Sequence, residues 1–577
     1  MHEAPAAFVT GSTLRHVVVM GATGSVGLMA IFAVDLLSLL YVSWLGDPNL
    51  TAAVGFATIV QVFAIAINIG MMIAVGALVA RALGAGDREA ARRIAASAMV
   101  LTVVAALAVT GLLLPVLDPV LALIGAAPET VPVARRFLHI TLPSIAAMAL
   151  GMGFSGVLRA VADARRAMIV TVGGALVTAL LDPLLIFGLG LGLDGAAWSV
   201  VAARLAFAGV GWHGAVVVHR MVARPRPADL RADAPEVLRI ALPAVATNLA
   251  PPVASAFLAH VVAGFGTAAI AANAVIERLI PVAFGGLFAL SGAIGPILGQ
   301  NWGAGRFDRM RRVLRDAALV TGVYVVAVWL ALVLGRTAIV EAFALSGEAA
   351  RLVAFFCLVA GAAWFFNGLL FLANASFNNL GFPLLSTAFN WGRATLGTMP
   401  FALAGAWAGG PEGVLVAIAL GSALFGTAAL VAAFRVVGIL EGRAGASVPA
   451  AASAGESAFQ APAVPGHDPH HPMRGSPPGL EASSTRQVQG RVVPPREREG
   501  ADHLGAREAE ILQHPVVEVG QAVGGAAVLP QTDGLHRDPA GRATGPQDQR
   551  ENTEGSKADP HRDLQRRPSE GAAAPPS

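Results

Sequence analysis

Three carboxylates lie inside long apolar runs of the sequence, where ionisable side chains are rare. Asp35 lies in AVDLLSLLYV, Asp182 in ALLDPLLIF and Glu277 in AVIERLIPV. A carboxyl group in such a run must pair, take up a proton or face water, because its charged form is costly to bury. Two carboxylates at one depth can share a proton. If these runs cross a membrane as helices, counting residues along them puts Asp35 and Asp182 both about 6 Å to the outer side of the membrane midplane. We therefore predict that the two carboxylates bind a coupling cation, that is, an ion whose movement across the membrane drives another process.

The residues around Asp182 favour the same chemistry. Pro183 removes a backbone donor and predicts a kink that exposes polar backbone beside the acid. Thr178 and Ser199 can add hydroxyl oxygens. Arg204 is predicted at about the same depth in the membrane as Asp35 and Asp182. If it pairs with either aspartate, that carboxyl group would stay ionised. Whether Arg204 forms this pair is left open by the sequence.

In the second half of the chain, Glu277, Arg278 and Arg393 are predicted near the membrane midplane. A lone arginine there is costly, so we expect an ion pair between Glu277 and one of the two arginines. The pair would either stabilise the structure or contact the substrate.

The candidate residues of a substrate cavity are polar or aromatic, as suits amphipathic cations: Gln61, Asn68, Glu277, Arg278, Trp364 and Asn367. We expect no metal site and no cofactor, and the single cysteine, Cys357, excludes a disulfide framework.

The elements that position these residues are membrane-spanning helices. Of 577 residues, 55% are hydrophobic and 13% are charged, against about 25% charged in soluble domains, which excludes an ordinary soluble fold. Twelve apolar runs are long enough to cross roughly 30 Å of hydrocarbon as helices. They span residues 17–44, 51–80, 94–117, 135–158, 167–190, 195–219, 237–262, 267–299, 313–335, 350–376, 383–408 and 412–437.

Arginine placement predicts the orientation. Arginines follow predicted helices 2, 4, 6 and 8, whereas the loops after odd-numbered helices are mainly acidic. Because basic loops stay in the cytoplasm, we expect both termini to be cytoplasmic, in a bacterial inner membrane. Residues 441–577 are rich in Pro, Gly, Arg and Gln and contain no apolar run long enough to pack or to span a membrane. They predict a disordered tail, which is either natural or the product of a reading frame that continues past the natural stop.

The chain contains an internal repeat. LGAGDREAARR (83–93) and WGAGRFDRMRR (302–312) share Gly-Ala-Gly, five residues and Arg-Arg at an offset of 219 residues. This predicts an all-α membrane protein with two pseudo-symmetric lobes of six helices each and a cavity between them. The expected boundaries are an N-lobe at 1–221, a cytoplasmic linker at 222–236 and a C-lobe at 237–440.

Five segments together resemble the multidrug and toxic compound extrusion (MATE) transporters. They are AVDLLSLLYVSWLGD (33–47), GALVARALGAGDREAARR (76–93), LRAVADARRAM (158–168), LLDPLLIFGLGLGLDGAAWS (180–199) and NNLGFPLLSTAFNWGRATLGTMP (378–400). The resemblance implies an antiporter that exports amphipathic, often cationic compounds in exchange for protons or sodium. It also implies that Asp35 and Asp182 match the acids of the family's N-lobe cation site.

The resemblance bears on the coupling ion as well. Thr178 lies near the place of a family asparagine, which disfavours tight sodium coordination. Sodium-type members carry further acids in helices 7 and 10, and this sequence has none there. Proton coupling through the N-lobe is therefore favoured, with sodium as the alternative.

Two other functions are weighed against the antiporter. A lipid-linked oligosaccharide flippase of the same superfamily usually has a more basic central cavity. A membrane-embedded acyltransferase would need a catalytic constellation at the membrane surface, and no loop is long enough to hold one. We therefore expect no enzymatic activity, and a monomer whose partners are the lipid bilayer and small amphipathic cations, without nucleic acid.

Overall fold

The computed structural model describes residues 6–457, and these residues are almost entirely helical, without a β-strand. Eleven helical segments are long and apolar enough to cross a membrane, and the last of them contains two spans. The fold class predicted from the sequence is thereby confirmed. The first nine helices are α1 (Thr13–Ser43), α2 (Pro48–Gly84), α3 (Arg88–Leu123), α4 (Thr130–Ala160), α5 (Ala164–Gly188), α6 (Gly192–Val218), α7 (Pro227–Ala263), α8 (Thr267–Gly303) and α9 (Phe307–Ala342).

Of the remaining three helices, α10 contains a local break, and α11 and α12 are connected by a sharp turn. Helix α10 runs through Gly347–Leu358 and Ala360–Asn379. Helix α11 begins at Pro383 and turns into α12 at Gly409 and Gly410, where Gly410 has a φ of +60°. Helix α12 continues to Ser457, beyond the boundary expected at residue 440, through a segment rich in alanine, the residue with the highest helix propensity. The rest of the expected tail lies outside the described residues.

The expected linker at 222–236 is shorter in the structure. Helix α7 already begins at Pro227, because proline is well suited to the first turn of a helix. Asp233 anchors the first turns of α7 to α3. Its carboxylate accepts a hydrogen bond from Ser97 of α3 (2.8 Å) and forms an ion pair with Arg93 of the same helix (3.3 Å).

Apolar packing shows where the two halves of the chain meet. We call the end of the helices with the arginine-rich loops the basic side, and the other end the opposite side. Toward the basic side, Val237 and Ile240 of α7 pack into the first half, and Val17 and Met20 of α1 pack into the second half. Toward the opposite side, the two large clusters of described residues each come from one half alone. The lobes therefore pack together at the basic side and lie apart at the opposite side.

The repeated glycine loops close the basic side by a backbone contact between α2 and α8. A Cβ atom added to Gly84 would collide with the carbonyl oxygen of Gln300, and one added to Gly303 would collide with that of Arg81. These two contacts are related by the repeat offset, because Gly84 corresponds to Gly303 and Arg81 to Gln300. Small residues at a helix crossing allow this close approach.

The segment before α1 adds a second contact at the basic side. Phe8 is 2% exposed, and its backbone N–H donates to Gln300 (2.8 Å). The buried guanidinium of Arg309 donates to the carbonyl oxygens of Phe8, Thr10 and Gly11 at 3.0 to 3.1 Å. Gln300 also donates to the carbonyl of Ala160 at the end of α4 (2.7 Å). Gln300 therefore links the N-terminal segment, α4 and α8.

Candidate coupling site

Asp182 is a deeply buried carboxylate near the end of α5. Its side chain is 1% exposed, and one oxygen, Oδ2, accepts a hydrogen bond from Ser38 of α1. Among the described residues, no group donates a hydrogen bond of normal length to the other oxygen, Oδ1. The buried hydroxyl of Ser199 lies beside the carboxylate and interacts with it. A buried carboxylate oxygen without a partner is costly, and a proton or a cation would remove this cost.

Asp35 lies close to Asp182 but in a different environment. It is exposed, in the half of α1 where the lobes lie apart, and it interacts electrostatically with Asp182 and Arg204. Ser38, which bonds Asp182, follows Asp35 by three residues, a rise of about 4.5 Å. The structure thus brings the two aspartates together at similar depth, one exposed and one buried.

Arg204 of α6 is held near Asp35 by neutral groups. Its Nη1 donates to the carbonyl oxygen of Thr141 (2.7 Å) and to Oγ of Ser144 (3.0 Å), and its Nη2 donates to the side chain of Gln61. Within the described residues, no ion pair joins Arg204 to a carboxylate. Its charge acts on Asp35 through space, so the direct pairing left open by the sequence does not occur in this structure.

The other residues predicted around the N-lobe site have varied roles. Gln61 is buried and belongs to the Arg204 network. Asn68 is 1% exposed, and its amide nitrogen lacks a partner among the described residues. The hydroxyl of Thr178 donates within its own helix to Gly174 (3.3 Å). After Pro183 the helix widens into a π-helical turn over Leu184–Gly188, which agrees with the predicted break.

The C-lobe does not contain the expected ion pair. Among the described residues, no salt bridge within 4 Å connects Glu277 to Arg278 or Arg393; the carboxylate instead lies beside Ser255 of α7. Glu277 and Arg278 are both exposed, and adjacent helical residues point about 100° apart, which separates their side chains. Nε of Arg393 is buried without a hydrogen bond in the described structure.

Trp364, the aromatic residue predicted in the cavity, makes a ring contact within the C-lobe. Trp364 stacks on the buried ring of Phe284 in α8, with ring centroids 4.9 Å apart. Asn367, one turn later, is half-buried. Trp364 therefore joins α10 to α8 within the C-lobe.

Comparison with known proteins decides the family. A family model described as MatE matches residues 25–184 and 243–403, more than half of the chain. The chain belongs to the MATE family of membrane transporters. The two matched segments start 218 residues apart, one residue less than the offset of the sequence repeat. Each MATE segment thus covers most of one six-helix unit.

Curated relatives include transporters of different named substrates. A FAD transporter of Shewanella oneidensis is 26% identical over 423 residues, which cover 72% of this chain and 93% of the relative. A probable multidrug resistance protein, NorM of Pseudomonas aeruginosa, is 32% identical over 289 residues, covering 46% of this chain and 56% of NorM. The crystal structure of a point mutant of the Vibrio cholerae MATE transporter VcmN superposes with a TM-score of 0.69 at 24% identity, covering 73% of this chain and 96% of VcmN. This structural similarity supports a MATE fold.

Sequence reasoning missed several partners in this MATE structure. Ser38 lies one turn after Asp35, and this spacing could have identified it as a second polar group on the same face of α1. Thr141 and Ser144, which hold Arg204, had no comparable signal. The glycine loops were recognised as a repeat, but their direct contact was not predicted.

Proposed function

We propose that this MATE transporter is a secondary active antiporter that exports amphipathic, cationic drugs or metabolites in exchange for protons, with sodium as the alternative coupling ion. The observation that carries the proposal is the pair formed by exposed Asp35 and buried Asp182, with one Asp182 oxygen unpartnered. Ser199 lies beside Asp182, and Arg204 acts on Asp35. Thr178 lies one turn before Asp182 in the same helix and completes the proposed site.

The orientation follows from the arginine distribution. With the basic side in the cytoplasm, both termini are cytoplasmic and the separated lobes face outward. The exposed carboxylate of Asp35 is then within reach of external protons. When the lobes open to the cytoplasm instead, the same site releases its proton there.

Exchange arises because a proton and a cationic substrate compete for the same negative charge. A proton entering from outside neutralises the acid pair and favours release of the cation. Exchange of one proton for one monovalent cation moves no net charge, so the pH difference drives it. Each pH unit supplies about 1.4 kcal/mol, which sustains roughly a tenfold gradient of the cation. Multidrug export is the function that the names of several relatives carry, and the exposed carboxylates Asp35 and Glu277 suit cationic compounds.

A second substrate class has separate support. Arg278 is exposed in the C-lobe, and Nε of Arg393 has no hydrogen-bond partner in the described structure. Guanidinium groups bind phosphate well, and one relative is named a FAD transporter. An amphipathic anion such as FAD is therefore the alternative cargo.

Transport in proteoliposomes tests the proposal. Purified protein is given either a pH gradient or a sodium gradient, and ethidium and FAD are tried as substrates. We expect the pH gradient to drive ethidium, and Asp35→Asn and Asp182→Asn to fold normally but lose this transport. Asp118→Asn, which changes an exposed surface ion pair with Arg135, is the matched control.

Each arm of the experiment has a decisive result. FAD transport without ethidium transport would replace the cationic substrate class. Transport driven by sodium alone would replace the proton. Wild-type export by Asp35→Asn under a pH gradient would show that coupling lies elsewhere, with Glu277 the next candidate.

A further inference from the structure

Arg204 places a permanent positive charge near Asp35, the exposed member of the acid pair. Its three hydrogen bonds, to the carbonyl of Thr141, Oγ of Ser144 and the side chain of Gln61, come from α4 and α2. A guanidinium keeps its proton at physiological pH, and one with three fixed partners cannot easily leave. The charge is therefore part of the site through the transport cycle.

The charges of the two aspartates and of Arg204 do not cancel. With both aspartates ionised, Asp35, Asp182 and Arg204 together carry a net charge of −1. One proton makes the group neutral, whereas a second proton would leave the partly buried guanidinium with an uncompensated positive charge, which is costly in a membrane. We infer that Arg204 is a specificity-determining residue that limits the N-lobe site to one proton per cycle and excludes sodium. This inference rests on the proposed antiport function and adds its stoichiometry.

The oxygen atoms of the site support the exclusion of sodium. Sodium sites in transporters are built from several oxygen ligands, including backbone carbonyls. Here Arg204 occupies the carbonyl oxygen of Thr141, the hydroxyl of Ser144 and the side-chain oxygen of Gln61. A bound sodium ion would lose these ligands and would also be repelled by the guanidinium. A proton needs only one carboxylate oxygen, such as Oδ1 of Asp182.

The other charged groups nearby do not alter this balance. The charges that act on Asp35 are those of Arg204 and Asp182. The remaining ionisable side chains in the adjacent outer parts of α1, α4, α6 and α8 are Tyr41, Arg135, Arg136, His139, Asp194, Glu277 and Arg278. Arg136 pairs with Asp194 and Arg135 with Asp118, while Glu277 and Arg278 are exposed on the other lobe.

Ion binding to the purified protein tests the inference without any transported substrate. Binding of ²²Na⁺ is measured by scintillation proximity for the wild type, Arg204→Gln and Arg204→Lys. We expect saturable sodium binding by Arg204→Gln. The wild type and Arg204→Lys should show none up to at least ten times the sodium concentration that half-saturates Arg204→Gln. Arg136→Gln, at an exposed arginine, is the matched control and should behave as the wild type.

Proton counting gives an independent measurement. Proton uptake between pH 9 and pH 5 is compared with uptake by the same protein carrying Asp35→Asn and Asp182→Asn. We expect a difference of one proton for the wild type and two for Arg204→Gln. If Arg204→Gln does not fold, Gln61→Glu adds a compensating negative charge while Arg204 stays in place, and it should also raise the count to two.

Two results would overturn the inference. Saturable sodium binding by the wild type would show that the arginine does not exclude this ion. A count of two protons in the wild type, or an unchanged count after the charge is removed, would show that Arg204 does not set the stoichiometry. Neither measurement depends on substrate export, so failure of the proposed function would be recognised separately.

Discussion

A single added methyl group at Gly84 should shift this transporter toward the state that is open at the basic side. In the present structure, the Cβ atom of Gly84→Ala would collide with the carbonyl oxygen of Gln300 in α8. Both atoms belong to helix backbones, so neither can move aside alone. The collision destabilises only the conformation in which the two helices cross.

The expected size of the effect follows from overpacking. Extra methyl groups in a close-packed interface cost about 1–3 kcal/mol, and about 2 kcal/mol changes a two-state equilibrium roughly thirtyfold. Gly303→Ala should have a similar effect, because its Cβ atom would collide with the carbonyl of Arg81 in the symmetry-related contact. Gly55→Ala is the control on α2, since no atom lies within 4 Å of its added Cβ.

Cysteine labelling can measure the shift. The only native cysteine, Cys357, is buried, so it is replaced by Ala, and Ala77→Cys places a reporter in the closed half of α2, where Ala77 is 3% exposed. Modification by a membrane-impermeant maleimide applied to the basic side should be about thirtyfold faster in Gly84→Ala and Gly303→Ala. Equal labelling rates in these variants and the parent, or the same acceleration in Gly55→Ala, would refute the steric reasoning.

Three further changes test other parts of the structure. Arg309→Ala should lower the free energy of unfolding by about 2–4 kcal/mol, because its bonds to the segment around Phe8 are charge-assisted and buried; an unchanged melting temperature would contradict this. Glu277→Ala should change the free energy of unfolding by less than about 0.5 kcal/mol, since no described salt bridge is lost. A large loss of stability would indicate that Glu277 has a hidden partner. Partial burial alone would raise the pKa of Asp163, but hydrogen bonds from the Arg166 backbone, His219 and the Arg166 guanidinium, together with the Arg166 charge, hold that pKa below its ordinary value. Asp163→Ala should therefore cost about 1 kcal/mol at pH 7, and this difference should shrink below about pH 4 as the native carboxylate becomes protonated; a difference that grows in acid would be inconsistent with a lowered pKa.

The spans, the repeat and the acid pair were accessible from the sequence because each leaves a local signal. Asp35 and Asp182 are conspicuous because they interrupt apolar runs. The direction of other side chains was not accessible, because a membrane helix is apolar both toward lipid and toward its neighbours. The stacking of Trp364 on Phe284 was therefore not foreseen, and its place in the cavity stays a prediction. The same ambiguity produced the expected pairing of Glu277 with an arginine.

The N-terminal segment and the Arg204 network were missed for another reason. Phe8 precedes the first apolar run, and its partner Arg309 is 301 residues away. The partners of Arg204 include a backbone carbonyl, which has no distinguishing residue type. Contacts of this kind depend on the final packing of the helices and leave no periodic pattern in the chain.

The crossing of α2 and α8 has the form of an isologous dimer interface, in which the same patch meets itself across a two-fold axis. The side chains at equivalent positions of the two repeats nevertheless make different contacts. Gln300 binds Phe8 and Ala160, while its counterpart Arg81 stacks on Trp302 at 4.1 Å and pairs with Glu236 at 3.2 Å. A symmetric contact has thus become a junction with two chemically distinct halves.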